Sequence, residues 1–137
     1  MVGIVLASHG LLAQGMKDSC KLFFGDEIDQ LVACCLAAGE APDQFCERMA
    51  AAVEEVSTGD GVIVLVDLLG GTPSNCCLSL TNDRVRVVTG MNLGMLLELL
   101  GVRMGIDDIK EIDTTELVEM SKRGIVCLND LQASLRK

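Results

Sequence analysis

Hydrophobic positions along the chain switch between two periods. Val2 to Ala7 is an unbroken β-branched and aliphatic run, the signature of a strand buried on both faces, and Leu11, Leu12, Met16, Leu22 and Phe23 follow at near-helical spacing. Gln30 to Leu36 repeats the strand signature, and Pro42 then opens a helix with Phe45, Met49, Ala52, Val53 and Val56 on one face. Gly59-Asp60-Gly61 breaks the chain before a third strand, Val62 to Val66. Thr72 and Pro73 read as the N-cap and first residue of a helix reaching about Leu80, and Val85 to Val88 reads as a fourth strand. Asn92 is placed to cap a helix through Leu100, and Thr114 or Thr115 another to about Arg123. Gly124 then ends that helix ahead of a short strand, Ile125 to Leu128.

Strands and helices alternating at such short spacing require right-handed crossovers, and hence a parallel sheet with helices on both faces. The expected fold is α/β and doubly wound, with a mainly parallel four-stranded sheet in the order 2-1-3-4. The short C-terminal strand follows a helix that has no need to cross the sheet, so it is free to add at an edge or to be swapped with a second copy in a dimer. With no Pro-rich or Ser-rich linker and no internal repeat, residues 1–128 read as one domain and 129–137 as a C-terminal tail.

Composition narrows the function. Half of the 137 residues are apolar, enough for one sizeable core. Eleven Lys and Arg against twenty Asp and Glu give a formal charge of −9, and the only aromatics are Phe23, Phe24 and Phe45. An acidic chain without basic runs or stacking platforms is not built for nucleic acid. The N-terminal apolar run carries no Lys or Arg and, like Leu31 to Ala38, is too short for a signal peptide or a membrane span, which points to a cytoplasmic protein. Seven cysteines form an odd set with no Cys-x-x-Cys, and the single His cannot complete a usual zinc set. The cysteines are therefore read as small hydrophobes in a reduced core, and no metal or cofactor is expected.

In open parallel sheets, ligands bind beyond the carboxyl ends of the strands where the winding reverses, here between strands one and three. Strand one ends in Ser8-His9-Gly10, which holds the only His of the chain, and strand three ends in Asp67, the only charged residue between Gly61 and Asn82. Leu68-Leu69-Gly70-Gly71-Thr72-Pro73 follows, a glycine-bearing turn into a helix whose free amides and positive dipole end suit an oxyanion. A nucleophilic histidine needs one neutral nitrogen and a partner on the other to fix its tautomer, and Asp67 fits that role. Amides around Gly10 and Gly71-Thr72, with the Thr72 hydroxyl, would neutralise a transferring phosphoryl group without a metal. Each piece alone has a plainer reading: His9 as a turn or core residue, Asp67 as a loop cap, and the glycines as turn chemistry. Residues 8–16, 68–82 and 87–97 carry no charge, so Leu11, Leu12, Met16, Leu68 and Leu69 would give the crevice an apolar rim suited to a protein partner. Met91 and Met95, at helical spacing, are assigned to packing.

Three segments carry a family resemblance: Ile4-Val-Leu-Ala-Ser-His-Gly-Leu-Leu-Ala-Gln-Gly15, Val64-Leu-Val-Asp-Leu-Leu-Gly-Gly-Thr-Pro-Ser-Asn75 and Val88-Thr-Gly-Met-Asn-Leu-Gly-Met-Leu-Leu-Glu98. With them the chain resembles, over nearly its whole length, the mannose-family EIIA domain of the phosphoenolpyruvate-dependent sugar phosphotransferase system. The resemblance implies that His9 accepts a phosphoryl group from the phosphohistidine of HPr and passes it to an EIIB component, which phosphorylates sugar entering through a membrane permease. It also implies that Asp67 orients His9, that the Gly71-Thr72 region contacts the phosphoryl group, and that the protein is a homodimer with its last strand exchanged. The chain departs from the family at Gly94, often Pro, and at Ser74, often Phe, where a partner-docking contact is usual. It stops at Lys137 without an EIIB domain, so EIIB is expected as a separate polypeptide.

Two rivals stand beside this reading. The phosphotransfer subunit of a dihydroxyacetone kinase system would use the same His9, although Gly70-Gly71-Thr72-Pro73 looks like the turn of the sugar branch. A non-catalytic doubly wound module would need an acidic pair after strand one for magnesium, as in a receiver, or aromatic residues at the loops for a flavin, and the chain has neither there.

Overall fold

The computed structural model describes residues 1–136. Strands β1 (Gly3–His9), β2 (Leu31–Leu36), β3 (Val62–Val66) and β4 (Val85–Thr89) form one parallel sheet in the order β2-β1-β3-β4, as expected. Six helices surround it: α1 (Leu12–Phe24), α2 (Pro42–Val56), α3 (Gly71–Cys77), α4 (Leu93–Val102), α5 (Thr114–Arg123) and α6 (Leu128–Leu135). A 3-10 turn, Ile109–Glu111, lies between α4 and α5.

Alternation along the central strand builds two cores. Ile4 and Leu6 of β1 pack with Ala13, Met16, Leu96, Leu99 and Leu117 from α1, α4 and α5. Val5 and Ala7 point the other way and pack with Phe45, Met49, Val56, Cys76 and Cys77 from α2 and α3. An unbroken apolar run is what a strand covered on both faces requires, and Ile4 to Ala7 have no exposed surface. Each large side chain so buried contributes roughly 1.5–3 kcal/mol. At the start of β1 a Cβ on Gly3 would lie 2.4 Å from the Val56 carbonyl oxygen, so only glycine lets the end of α2 approach this closely.

Several expected boundaries shift for identifiable reasons. Gln30 lies outside β2 because its φ of +54° turns the chain ahead of the strand. The buried Arg103 guanidinium fastens that turn, donating to the carbonyls of Asp29 (2.5 Å), Gln30 (2.9 Å) and Val2 (2.9 Å). Thr72 is not an N-cap: Gly70 occupies that place, and the helix stops at Cys77 rather than Leu80. Asn92 does cap α4, accepting from the Met95 amide, but α5 is capped by Asp113 rather than Thr114 or Thr115. Leu22 and Phe23 keep the helical period of α1 yet face solvent.

The C-terminal strand is corrected. Residues 125–127 run without regular secondary structure and pair with no strand among the described residues, and Leu128–Leu135 forms α6, which buries none of its own side chains. Leu128, Leu131 and Leu135 recur at helical spacing and outweigh the short β-branched pair Ile125-Val126. The expected tail at 129–137 is thus largely helical, with Lys137 outside the described residues. The all-thiol core is corrected too: Cys46 of α2 and Cys76 of α3 form a disulfide, with their Cα atoms 5.0 Å apart. Cys20, Cys34 and Cys77 remain buried thiols, as expected, whereas Cys35 is half-buried and Cys127 is exposed and lies outside the core. Among the described residues no helix is long and apolar enough to cross a membrane.

Candidate functional site

The connections leaving β1 and β3 go to opposite faces of the sheet, one to α1 and the other to α3, and this reversal opens a crevice at the carboxyl edge. His9, the last residue of β1, and Asp67, directly after β3, meet there. The His9 backbone N–H donates to Asp67 Oδ2 at 2.9 Å, and His9 Nδ1 lies 2.9 Å from the same oxygen. The second carboxylate oxygen, Oδ1, accepts from the Leu68 amide at 2.9 Å, so three contacts aim this carboxyl group at the ring. The Asp67 side chain is 8% exposed, whereas that of His9 is 44% exposed. A carboxylate only accepts, so the ring proton belongs on Nδ1 and the Nε2 lone pair faces outward.

Backbone geometry fixes the surroundings of Nε2. Gly70 and Gly71 adopt φ values of +88° and +82°, conformations that admit glycine and few other residues, and they fold the loop back toward the histidine. A Cβ on Gly71 would sit 3.1 Å from both Nε2 and Cε1. No side chain caps α3, which leaves its first-turn amides without intrahelical partners. Thr72 follows as a half-buried helical residue, with Ser74 half-buried two positions on.

The turn before α1 is held from both sides. Gly10 has a φ of +59°, and its N–H donates to the Leu36 carbonyl at 2.8 Å. The Ser8 hydroxyl, fully buried, donates to the Gly10 carbonyl at 3.0 Å and accepts from the Ala13 amide at 2.8 Å. Sequence reasoning passed over this bridge, although a serine in register with Ile4 and Leu6 on a core-facing side was its available signal.

The apolar rim is present in part. Leu11, Leu68 and Leu69 on the two loops flanking His9, and Leu12 at the start of α1, are exposed, and Leu69 is 86% exposed. Met16 is corrected: at 7% exposure it belongs to the core under α1 and does not line the surface. One turn of helix carries it from the rim to the sheet, so period alone could not separate it from Leu12.

Comparison with known proteins gives a consistent picture. The profile of the EIIA-man family, described as PTS system fructose IIA component, matches residues 3–114. The fructose-specific EIIA component of Bacillus subtilis is 31% identical over 105 residues, covering 75% of this chain and 71% of that protein. The mannose-specific EIIAB component of Escherichia coli is 28% identical over 131 residues, which span 93% of this chain and only 39% of that longer protein. Among solved structures, a PTS IIA protein associated with the fucose utilization operon of Streptococcus pneumoniae superposes with a TM-score of 0.84 at 31% identity, covering 96% of this chain and 99% of that one.

Proposed function

Because the chain belongs to the mannose-type EIIA family of phosphotransferase-system components, we propose that it takes a phosphoryl group from phospho-HPr onto His9 and hands it to an EIIB component. Membership makes it a phosphotransferase component with a phosphocarrier role in sugar uptake. The donor, the acceptor and the reacting atom are the further steps of this reading, as is the link through EIIB to a membrane permease. One observation supports His9 Nε2 as the reacting atom: a buried carboxylate 2.9 Å from Nδ1 leaves Nε2 bare and facing the Gly71 turn.

In the proposed step the Nε2 lone pair attacks phosphorus as the P–N bond of the donor phosphohistidine breaks, and the donor imidazole leaves with that electron pair. Nδ1 keeps its proton throughout, and Asp67 stabilises the positive charge that the ring acquires. Amides at Gly10 and Gly71-Thr72, with the Thr72 hydroxyl, take up charge on the three phosphoryl oxygens. Leu11, Leu12, Leu68, Leu69 and the small Ser74 form the docking surface for both protein partners. Attack by the EIIB nucleophile on the same phosphorus reverses the bond changes and returns His9 to its starting tautomer.

The reading extends to a homodimer. Among the described residues the apolar segment 125–127 pairs with no strand, α6 buries none of its side chains, and β4 is an edge strand, so each would gain contacts by exchange with a second copy.

Intact mass after incubation with phosphoenolpyruvate, enzyme I and HPr tests the carrier role. One phosphoryl group is expected, labile in acid, stable in alkali and absent from His9→Ala. Asp67→Ala should fold and accept the group slowly. Normal phosphorylation of His9→Ala would sink the assignment.

A further inference from the structure

We propose that Ser8 is a positioning residue for phosphoryl transfer, its buried hydroxyl setting where the backbone of His9 stands relative to Asp67. The inference rests on the reading of His9 as phosphoryl acceptor. Ile4 and Leu6 precede Ser8 on the α1 side of β1, so packing alone calls for another hydrophobe at this position. A hydroxyl buried there is costly unless both its donor and its acceptor capacity are used, and here they are. The two bonds close a bridge from the end of β1 to the first turn of α1, and the residue spanned first is His9 itself.

The His9 N–H bond to Asp67 restrains the backbone on the near side of the ring, and the bridge adds a second restraint on the far side, at the Gly10 carbonyl. The Gly10 amide is tied to Leu36, but its carbonyl is tied only to Ser8 among the hydrogen bonds of the described residues. Asp67 orients the imidazole, and it does so only while the Cα of His9 keeps its distance from the end of β3. With the hydroxyl gone, the left-handed Gly10 turn has one fewer anchor and Nδ1 leaves Asp67 for part of the time. A free imidazole in water favours the proton on Nε2, which blocks the nucleophilic lone pair. Ser8 therefore acts on tautomer population and reaction geometry through the main chain, without touching the phosphoryl group.

Imidazole 15N NMR of the full chain, recorded without any phosphoryl donor, reads the tautomer directly, and the rate of phosphoryl uptake from phospho-HPr is measured alongside it. Ser8→Ala should move the ring from a predominantly Nδ1–H form toward a mixture and slow uptake by about tenfold with little change in KM for the donor. Ser8→Thr, which keeps the hydroxyl, should restore both readouts. Ile109→Val, a core change at the opposite edge of the sheet, costs stability of similar order and should leave both unchanged. Wild-type tautomer and rate in Ser8→Ala would overturn the proposal. Should that variant not fold, Ser8→Cys, whose thiol hydrogen-bonds far more weakly, is read against the same two outcomes. A wild-type chain that takes up no phosphoryl group defeats the carrier reading instead, and the donor-free spectra still decide the role of Ser8.

Discussion

Gly71 and Gly10 both adopt positive φ, but only Gly71 lies against the His9 ring, and this difference separates backbone strain from the proposed site chemistry. Gly71→Ala would place its methyl carbon 3.1 Å from Nε2, the atom proposed to take the phosphoryl group, so on that reading uptake should fall by about tenfold or more. Gly10→Ala meets nothing within 4 Å and should show chiefly the left-handed penalty, roughly 1 kcal/mol in denaturant unfolding. Equal rates for the two variants would remove Gly71 from the site. At this scale the meeting of His9 and Asp67 was legible, because a lone His and a lone Asp at adjacent strand ends stand out against charge-free loops. The side-chain bridge of Ser8 was not, since a serine in sequence says nothing about which carbonyl and amide it will reach. Met16 was misplaced for a related reason: Leu12 and Met16 share one side of α1 and differ in burial by one turn along the helix axis, which period does not show.

Elements were read well where a pattern was long and poorly where a short segment depended on distant partners. The four strands and their order followed from hydrophobic runs separated by helical spacing, whereas the segment after Gly124 needed either a sheet edge or a second chain to become a strand. Between α2 and α3, the Cys46–Cys76 disulfide could not be inferred, because α2 and α3 are brought together by tertiary packing and not by any cysteine spacing motif. Cys46→Ser should lower stability by roughly 2–4 kcal/mol in the absence of reductant, and reductant should abolish the difference from wild type. If the variant unfolds at the wild-type denaturant concentration without reductant, the link contributes nothing. Arg103 ties β2 to β1 from the opposite edge of the sheet: Arg103→Met removes its three bonds, leaving the Gln30 carbonyl only the Ile4 amide, and should cost roughly 3–5 kcal/mol, visible in the thermal midpoint.

For the whole molecule, burial pushes the Cys77 thiol from the ordinary 9.0 up to about 11. The unfolded chain then releases its proton at lower pH than the folded one, so this contribution to stability is complete below about pH 9 and is lost as pH rises toward 11. Cys77→Ala should flatten that part of an unfolding-versus-pH curve. Light scattering on the complete chain is expected to give twice the monomer mass, and removal of the segment after Gly124 is expected to give the monomer. A monomeric complete chain would end the exchange reading. The leucines around His9 have a further consequence, in colloidal terms. An exposed apolar surface will adhere to itself unless something holds the particles apart, and here that barrier is a net charge of −9 carried on other parts of the molecule. Near the isoelectric point, about 4.4, the barrier vanishes, and turbidity should appear there first. Leu68→Ser with Leu69→Ser should suppress it, because the side chains proposed to dock a partner are also the ones that would make a precipitate.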